Sequence, residues 1–166
     1  RRFGRSFHGG RSLRNGHKPS PRELAIAALA RREHSRLELQ RKLVAKGLDE
    51  SIIESTLDEL EGEEVLSDRR FTEAYARVRA NRGFGPKRIA NELRERGVSV
   101  GLIADQIESD EYEWPKLARE VRSKKFKTRP RSFDERARQV RFMEYRGFHH
   151  EHIRYAMDES VDDEDF

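Results

Sequence analysis

The sequence predicts an all-α protein of three tandem three-helix repeats stacked into an elongated array. Three observations predict it. Apolar residues and glycines recur in a fifty-residue register: Leu43, Leu93 and Met143; Gly47, Gly97 and Gly147; Leu48, Val98 and Phe148; Ile53, Ile103 and Ile153; Leu57, Ile107 and Met157. Self-similarity at such a period is the mark of a repeat architecture. Each glycine sits where a helix ends, and the left-handed conformation that closes helices suits glycine. No segment shows the sustained alternation of a strand.

The elements follow in order. The first helix of repeat one opens on Ser20-Pro21-Arg22-Glu23, a capping box with proline at its first position, and carries Leu24, Ala28 and Leu29 inward. Its second helix opens on a further capping box, Ser35-Arg36-Leu37-Glu38, and buries Leu39 and Leu43. After Gly47, Leu48 precedes the cap residue Asp49, and Ile53 closes a hydrophobic staple against Leu48. In repeat two, Ser67 caps a helix with Phe71, Ala74, Tyr75 and Val78 on one face. Gly85-Pro86 then opens a helix that buries Ile89 and Leu93, and Ser99 caps the third. In repeat three, Pro115 opens a helix with Leu117, Val121 and Trp114 inward. The next starts near Ser132–Asp134 with Val140 and Met143 buried, and His149, a poorer cap than Asp49 or Ser99, begins the last. The repeats span 20–66, 67–111 and 112–157, between a disordered basic arm (1–19) and a disordered acidic tail (158–166).

Composition agrees with thin layers rather than one thick core. Leu, Ile, Val and Phe make up 37 of 166 residues, just above the roughly 20% below which chains tend to stay unfolded. Charged residues reach 40%. No cysteine is present, which excludes disulfides, thiolate chemistry and cysteine zinc sites. No signal peptide is visible, and no uncharged run approaches the roughly 20 apolar residues of a membrane helix. A cytoplasmic protein without a membrane partner is expected.

The net charge of +4 conceals an uneven distribution. The arm carries +6, repeat one −4, repeat two +1, repeat three +7 and the tail −6. Such asymmetry suggests a polar partner for one end. The densest stretch, Arg122 to Arg131, holds six basic residues in ten around Phe126. Lys116 and Arg119 precede it; Arg136, Arg138 and Arg141 follow. Lys124, Lys125, Lys127, Arg129 and Arg131 are expected on a loop, within reach of phosphate or carboxylate groups. Nothing specifies base readout, so contact with DNA would be independent of sequence. The tail, ending Glu164-Asp165-Phe166, could shield this basic surface or compete for a surface that reads such tails; a solubilising role is the simpler expectation.

Other motifs argue against catalysis and cofactors. Gly83-Phe84-Gly85-Pro86-Lys87 has glycines before a helix and a nearby lysine, but no strand precedes it, and a turn explains it. His149, His150 and His152 cluster with Glu151, yet no further ligand set is evident, so no metal is expected. No nucleophile elbow or paired-carboxylate motif stands out, and no enzyme activity is expected.

Asp68-x-x-Phe71-x-x-Ala74-Tyr75-x-x-x-Arg79, followed by Gly83-x-Gly85-Pro86-x-x-Ile89-x-x-Glu92-Leu93-x-x-x-Gly97-Val98, resembles the central signature of the RecX family. Ser35-x-x-Glu38-Leu39 through Gly47, and Arg146-Gly147-Phe148 with Ile153, extend the likeness over residues 20–157. Met143 and Met157 stand where leucine is more usual. The resemblance implies three three-helix repeats and binding to the RecA recombinase. RecX proteins lie in the groove of the RecA–DNA filament and limit its extension, strand exchange and ATP hydrolysis. It implies no catalytic residues. Phe71, Tyr75, Ile89 and Leu93 are expected in the core, and Arg79, Lys87 and Arg88 as contacts. The alternative is a non-specific module for single- or double-stranded DNA.

Overall fold

The computed structural model describes residues 18–158. The basic arm and acidic tail lie, apart from their inner edges, outside the described residues. Among those described there are nine α-helices and no strand: α1 (Pro21–Leu29), α2 (Arg36–Val44), α3 (Glu50–Gly62), α4 (Asp68–Asn81), α5 (Pro86–Glu95), α6 (Val100–Ile107), α7 (Trp114–Lys125), α8 (Phe133–Arg146) and α9 (His150–Met157). The most extensive helix contacts run within the triplets α1–α3, α4–α6 and α7–α9. Each triplet has its own core. Leu39, Leu43, Ile53, Leu57 and Leu60 fill the first; Phe71, Ile89, Leu93 and Ile103 the second; Val121, Met143, Phe148 and Ile153 the third.

The helix ends obey the expected chemistry. Ser20 Oγ accepts from the Glu23 N–H at 3.2 Å, and the Glu23 carboxylate accepts from the Ser20 N–H at 2.7 Å. Ser67, Ser99 and Ser132 accept from the N–H three residues on. Asp49 accepts from Ser51 and Ile52. Ser35 departs from its predicted box. It accepts from the Glu38 N–H at 3.1 Å, but the Glu38 carboxylate turns to Arg32 at 2.9 Å and Arg96 at 3.4 Å. Charge pairing at a repeat boundary takes the side chain that would have completed the box.

Three expectations need correction. Val78 is 49% exposed, and α4 buries Phe71, Thr72, Ala76 and Ala80 instead. Alanines allow the close helix packing that Val78 was expected to provide from the neighbouring face. Trp114 is buried, but in the second core: its indole N–H donates to the Ile107 carbonyl at 2.9 Å and its ring stacks on Tyr112. Lys124 and Lys125 belong to the last turn of α7 rather than to a loop.

Ion pairs fasten the polar faces. Arg36 on α2 reaches Glu54, Asp58 and Glu61 on α3 at 2.7–2.8 Å. Burial alone would lower its pKa, but these carboxylates outweigh it and hold the guanidinium charged. Arg22 on α1 meets Glu63 at 2.6 Å.

Consecutive repeats meet end to end through their second helices. Gly97, at the end of α5, lies against the first turn of α2, and Gly147, at the end of α8, against the first turn of α5. Both are left-handed, with φ of +76° and +92°. A Cβ on Gly97 would come within 2.8 Å of Leu37 Cβ, and one on Gly147 would overlap Arg88. Gly47 has the same φ as Gly97, +76°, but among the described residues nothing lies within 4 Å of where its Cβ would be.

These glycines separate strain from contact. Gly47→Ala is expected to cost about 1–2 kcal/mol, the left-handed strain alone. Gly97→Ala and Gly147→Ala should cost clearly more, because the neighbouring turn must also move. Chemical denaturation of the three variants side by side checks this; equal losses would show that the inter-repeat contacts yield freely.

Candidate interaction surface at the repeat joints

The sequence places the same chemistry at both joints. Around the first, Ser35 Oγ donates to the Arg96 carbonyl at 2.7 Å and Arg41 to the Glu95 carbonyl at 3.3 Å. The Arg36 N–H donates to Asp68 at 2.7 Å. Around the second, the Gly85 N–H donates to the Arg146 carbonyl at 2.8 Å, the Lys87 N–H to the Gly147 carbonyl at 3.0 Å, and Arg88 to the Tyr145 carbonyl at 3.3 Å. In each case the unpaired carbonyls at one helix end are satisfied by the start of another. Opposite ends of two macrodipoles are thereby apposed.

Beside the second joint, α4 and α5 are fastened by a charged knot, whose Arg88 also reaches the Tyr145 carbonyl of α8. Arg79 places Nε and Nη2 at 2.8 and 2.6 Å from the two Glu92 oxygens, Arg88 Nε lies 3.1 Å from the same carboxylate, and the Tyr75 hydroxyl donates to it at 2.9 Å. Burial by itself would raise the Glu92 pKa, but the bonds from Arg79, Tyr75 and Arg88 outweigh it and hold the carboxyl below its ordinary value. Phe84 is faced by three guanidiniums, of Arg79 at 3.8 Å, Arg88 at 4.5 Å and Arg146 at 4.8 Å from its ring centre. α4, α5 and α8 are thus tied through one aromatic ring.

Each joint leaves a cleft beside it, and the two clefts match. In the first, of about 270 Å³, α4 presents Phe71, Ala74, Tyr75 and Val78. In the second, of about 500 Å³, α7 presents Leu117, Glu120, Val121 and Lys124 at the equivalent positions. Their charges differ. Arg32 and Arg96 balance Glu33 and Glu38 in the first. The second sets Arg82, Lys124, Lys125 and Arg146 against Glu120 alone, a surplus of three positive charges. Its apolar wall is Phe142, which meets Phe126 edge-on at 5.4 Å.

The candidate contacts divide accordingly. Lys124 and Lys125 line the cationic cleft. Lys127, Arg131, Arg138 and Arg141 are exposed on the adjoining connector and α8. Arg138 lies 5.8 Å from the Phe126 ring centre, and Arg129 donates to the Asp158 carbonyl at 3.2 Å. Lys116 pairs with Glu113 at 2.9 Å, and Arg119 stands over Tyr155. Lys87 is exposed on another face, beside Pro86, Asn91 and Arg94. Arg79 and Arg88 are engaged by Glu92. Arg122 is only 5% exposed and faces Gln139; burial, then Arg129 and Arg119, push its pKa down. The sequence reading missed Arg82 and Arg146. The signal was present for Arg146, which shares the fifty-residue register with Arg96. Among the described residues no cluster of three or more histidine, aspartate or glutamate side chains could hold a metal, and no helix is long and apolar enough to cross a membrane.

An all-α chain of three linked triplets, with clefts at its joints, defines a helical-repeat protein. Models of the RecX first, second and third three-helix domains match residues 22–60, 67–105 and 111–157. The chain is 44% identical over 133 residues to the regulatory protein RecX of Pseudomonas entomophila, covering 80% of this chain and 86% of that one. It is 40% identical over 145 residues to that of Halorhodospira halophila, covering 87% and 90%. The crystal structure of RecX from Lactobacillus salivarius superposes with a TM-score of 0.70 at 17% identity, covering 82% of this chain and 92% of that one, and so shares the fold. The chain belongs to the RecX family of regulatory proteins.

Glu92→Gln is expected to destabilise the chain by about 1–3 kcal/mol, less than a fully buried pair would cost. The folded carboxyl sits below its unfolded value, so its contribution is complete above the ordinary glutamate range. It is lost as pH falls through the lowered value. Acid unfolding followed by circular dichroism should show a shallower loss in the variant; unchanged acid sensitivity would exclude the knot as its source.

Proposed function

We propose that this protein regulates the RecA recombinase without catalysis of its own, by lying in the groove of the RecA–DNA filament and limiting its extension, strand exchange and ATP hydrolysis. Membership of the RecX family through all three domains carries the proposal. The cationic cleft at the second joint supports it physically, because a filament groove presents both nucleic-acid phosphates and protein carboxylates. Lys124, Lys125, Arg82 and Arg146 would meet such groups, and Lys127, Arg131, Arg138 and Arg141 would extend the contact. Exposed charges of this kind act chiefly on encounter and orientation.

Purified protein added to preformed RecA filaments on single-stranded DNA should co-sediment with them and lower ATP hydrolysis in step with occupancy. Absence of both effects over a wide concentration range would refute the proposal. Sequence-independent binding to naked DNA is the second reading, favoured by the cationic cleft with its Phe142 wall. The two separate by salt. DNA affinity falls with log salt at a slope of about −0.9 per phosphate contact on duplexes and about −0.7 on single strands. Filament binding that persists where naked DNA is released identifies a protein-dominated interface.

The paired reversal Lys124→Glu with Lys125→Glu should weaken both kinds of binding and flatten the salt slope by up to about two phosphate contacts. Arg31→Glu with Lys42→Glu, on exposed positions of the acidic first repeat, should do less. Arg36 is unsuitable for that comparison, because its ion pairs hold α2 to α3. Greater damage from the first-repeat pair would move the electrostatic contact away from the C-terminal cleft.

A further inference from the structure

The two internal joints leave one unmatched surface at each end of the row of second helices. At the α2 end, Gly47 repeats the left-handed turn of Gly97 and Gly147, but none of the described residues lies within 4 Å of where its Cβ would be. At the α8 end, Ser132 caps the helix as Ser35 caps α2, and Phe133 at its first position is 83% exposed. From this pairing we propose that the α8 start of one copy docks on the α2 end of a second copy, reproducing the internal joint between molecules.

The correspondence runs residue by residue. At the first joint the Ser35 hydroxyl donates to the Arg96 carbonyl, Glu38 pairs with the Arg96 side chain, and Arg41 donates to the Glu95 carbonyl. Counted from the helix cap, Ser132, Glu135 and Arg138 stand in α8 where Ser35, Glu38 and Arg41 stand in α2; α8 starts three residues earlier in the fifty-residue register, so the cap sets this alignment. Fifty residues before Glu95 and Arg96 stand Ala45 and Lys46. Between copies, Ser132 therefore meets the Lys46 carbonyl, Glu135 the Lys46 ammonium, and Arg138 the Ala45 carbonyl. Ser132, Lys46 and Arg138 are exposed. Val44, 41% exposed, gives the ring of Phe133 an apolar neighbour on the facing end. Repeat one by itself carries −4 and repeat three +7, but the adjoining arm (+6) and tail (−6) offset these sums, so the specific contacts carry the docking. Two differences mark the free joint: Asp134 stands where Leu37 packs against Gly97, and one Glu135 oxygen accepts from the Arg131 N–H at 2.7 Å, leaving its other lone pairs for Lys46; the contact between copies is therefore more polar.

Each copy uses two different surfaces, so the contact is heterologous; because it continues the end-to-end row of second helices, it extends the row rather than closing a ring. Internal joints gain from covalent linkage, which supplies a high effective concentration. The joint between copies lacks that gain and forms at high protein concentration.

Sedimentation velocity on the full chain at low ionic strength tests this, in the absence of DNA or any partner. The weight-average mass should rise with concentration past twice the monomer without a plateau. Lys46→Glu and Glu135→Lys should each return the chain to monomer, and mixing the two variants should restore association, because each then offers the other a matched end. Arg138→Ala, also at the α8 end, should weaken association without reversing a charge. Circular dichroism establishes that each variant keeps its helices. A chain that remains monomeric to its solubility limit overturns the proposal. So does association that either reversal leaves intact, or loss in both variants that mixing does not restore.

Discussion

Two close backbone approaches organise this molecule: Gly97 against Leu37 and Gly147 against Arg88. A three-helix unit of some forty-five residues has too little interior to be very stable alone. What joins the units is a few end-to-end hydrogen bonds between second helices, with Trp114 and Leu117 of α7 packed into the second core. Carbonyls at the close of one helix meet donors at the start of another, at distances that a side chain on either glycine would prevent. The glycines therefore do two jobs. They end the helices by turning left-handed, and they leave room for the neighbour that the exposed carbonyls need.

Once the joints are fixed, the clefts beside them follow. The first helix of each later repeat must pass alongside the joint, and it presents one face there. Phe71, Ala74, Tyr75 and Val78 form that face at the first joint, and Leu117, Glu120, Val121 and Lys124 at the second. Equivalent geometry with different side chains gives one neutral apolar cleft and one cationic cleft. Repetition of the fold builds the two positions, and divergence of the sequence sets what each attracts.

Much of this was legible from the residues. The fifty-residue register, the caps at serines, Asp49 and His149, the prolines at helix starts and the glycine helix ends pointed to the nine helices of the described residues, because each signal is local and reflects backbone chemistry. The face of α4 was not legible. Its apolar residues include both Val78 and the alanines Ala76 and Ala80, and only the partner helix decides which set is buried. Trp114 was misassigned for a related reason: it begins the third repeat in sequence but completes the second core in space. The joints were hidden because their bonds are largely to backbone carbonyls, which carry no sequence identity. Arg146 could have been found by extending the register that aligns Gly97 with Gly147 one residue backwards.

The charged residues show why counting basic side chains overstates a binding surface. Arg79 and Arg88 stood out in the signature, yet both are held by Glu92, and Arg79 also stands over the Phe84 ring. A guanidinium fixed in this way must break its ion pair before it can meet a partner's phosphate, so its charge contributes first to the joint. Arg122 carries the opposite lesson: it lies within the densest basic run, but its side chain is enclosed. Lys124 and Lys125 keep long, exposed side chains at the rim of an open cleft; Lys125 lies 5.7 Å from the Phe142 ring centre, and an anion there gains Coulomb attraction without competing against an internal carboxylate. Arg36, Arg79 and Arg88 hold helices together, whereas Lys124, Lys125, Lys127, Arg131, Arg138 and Arg141 face outward, and this division lets so charged a chain both fold and keep a cationic surface.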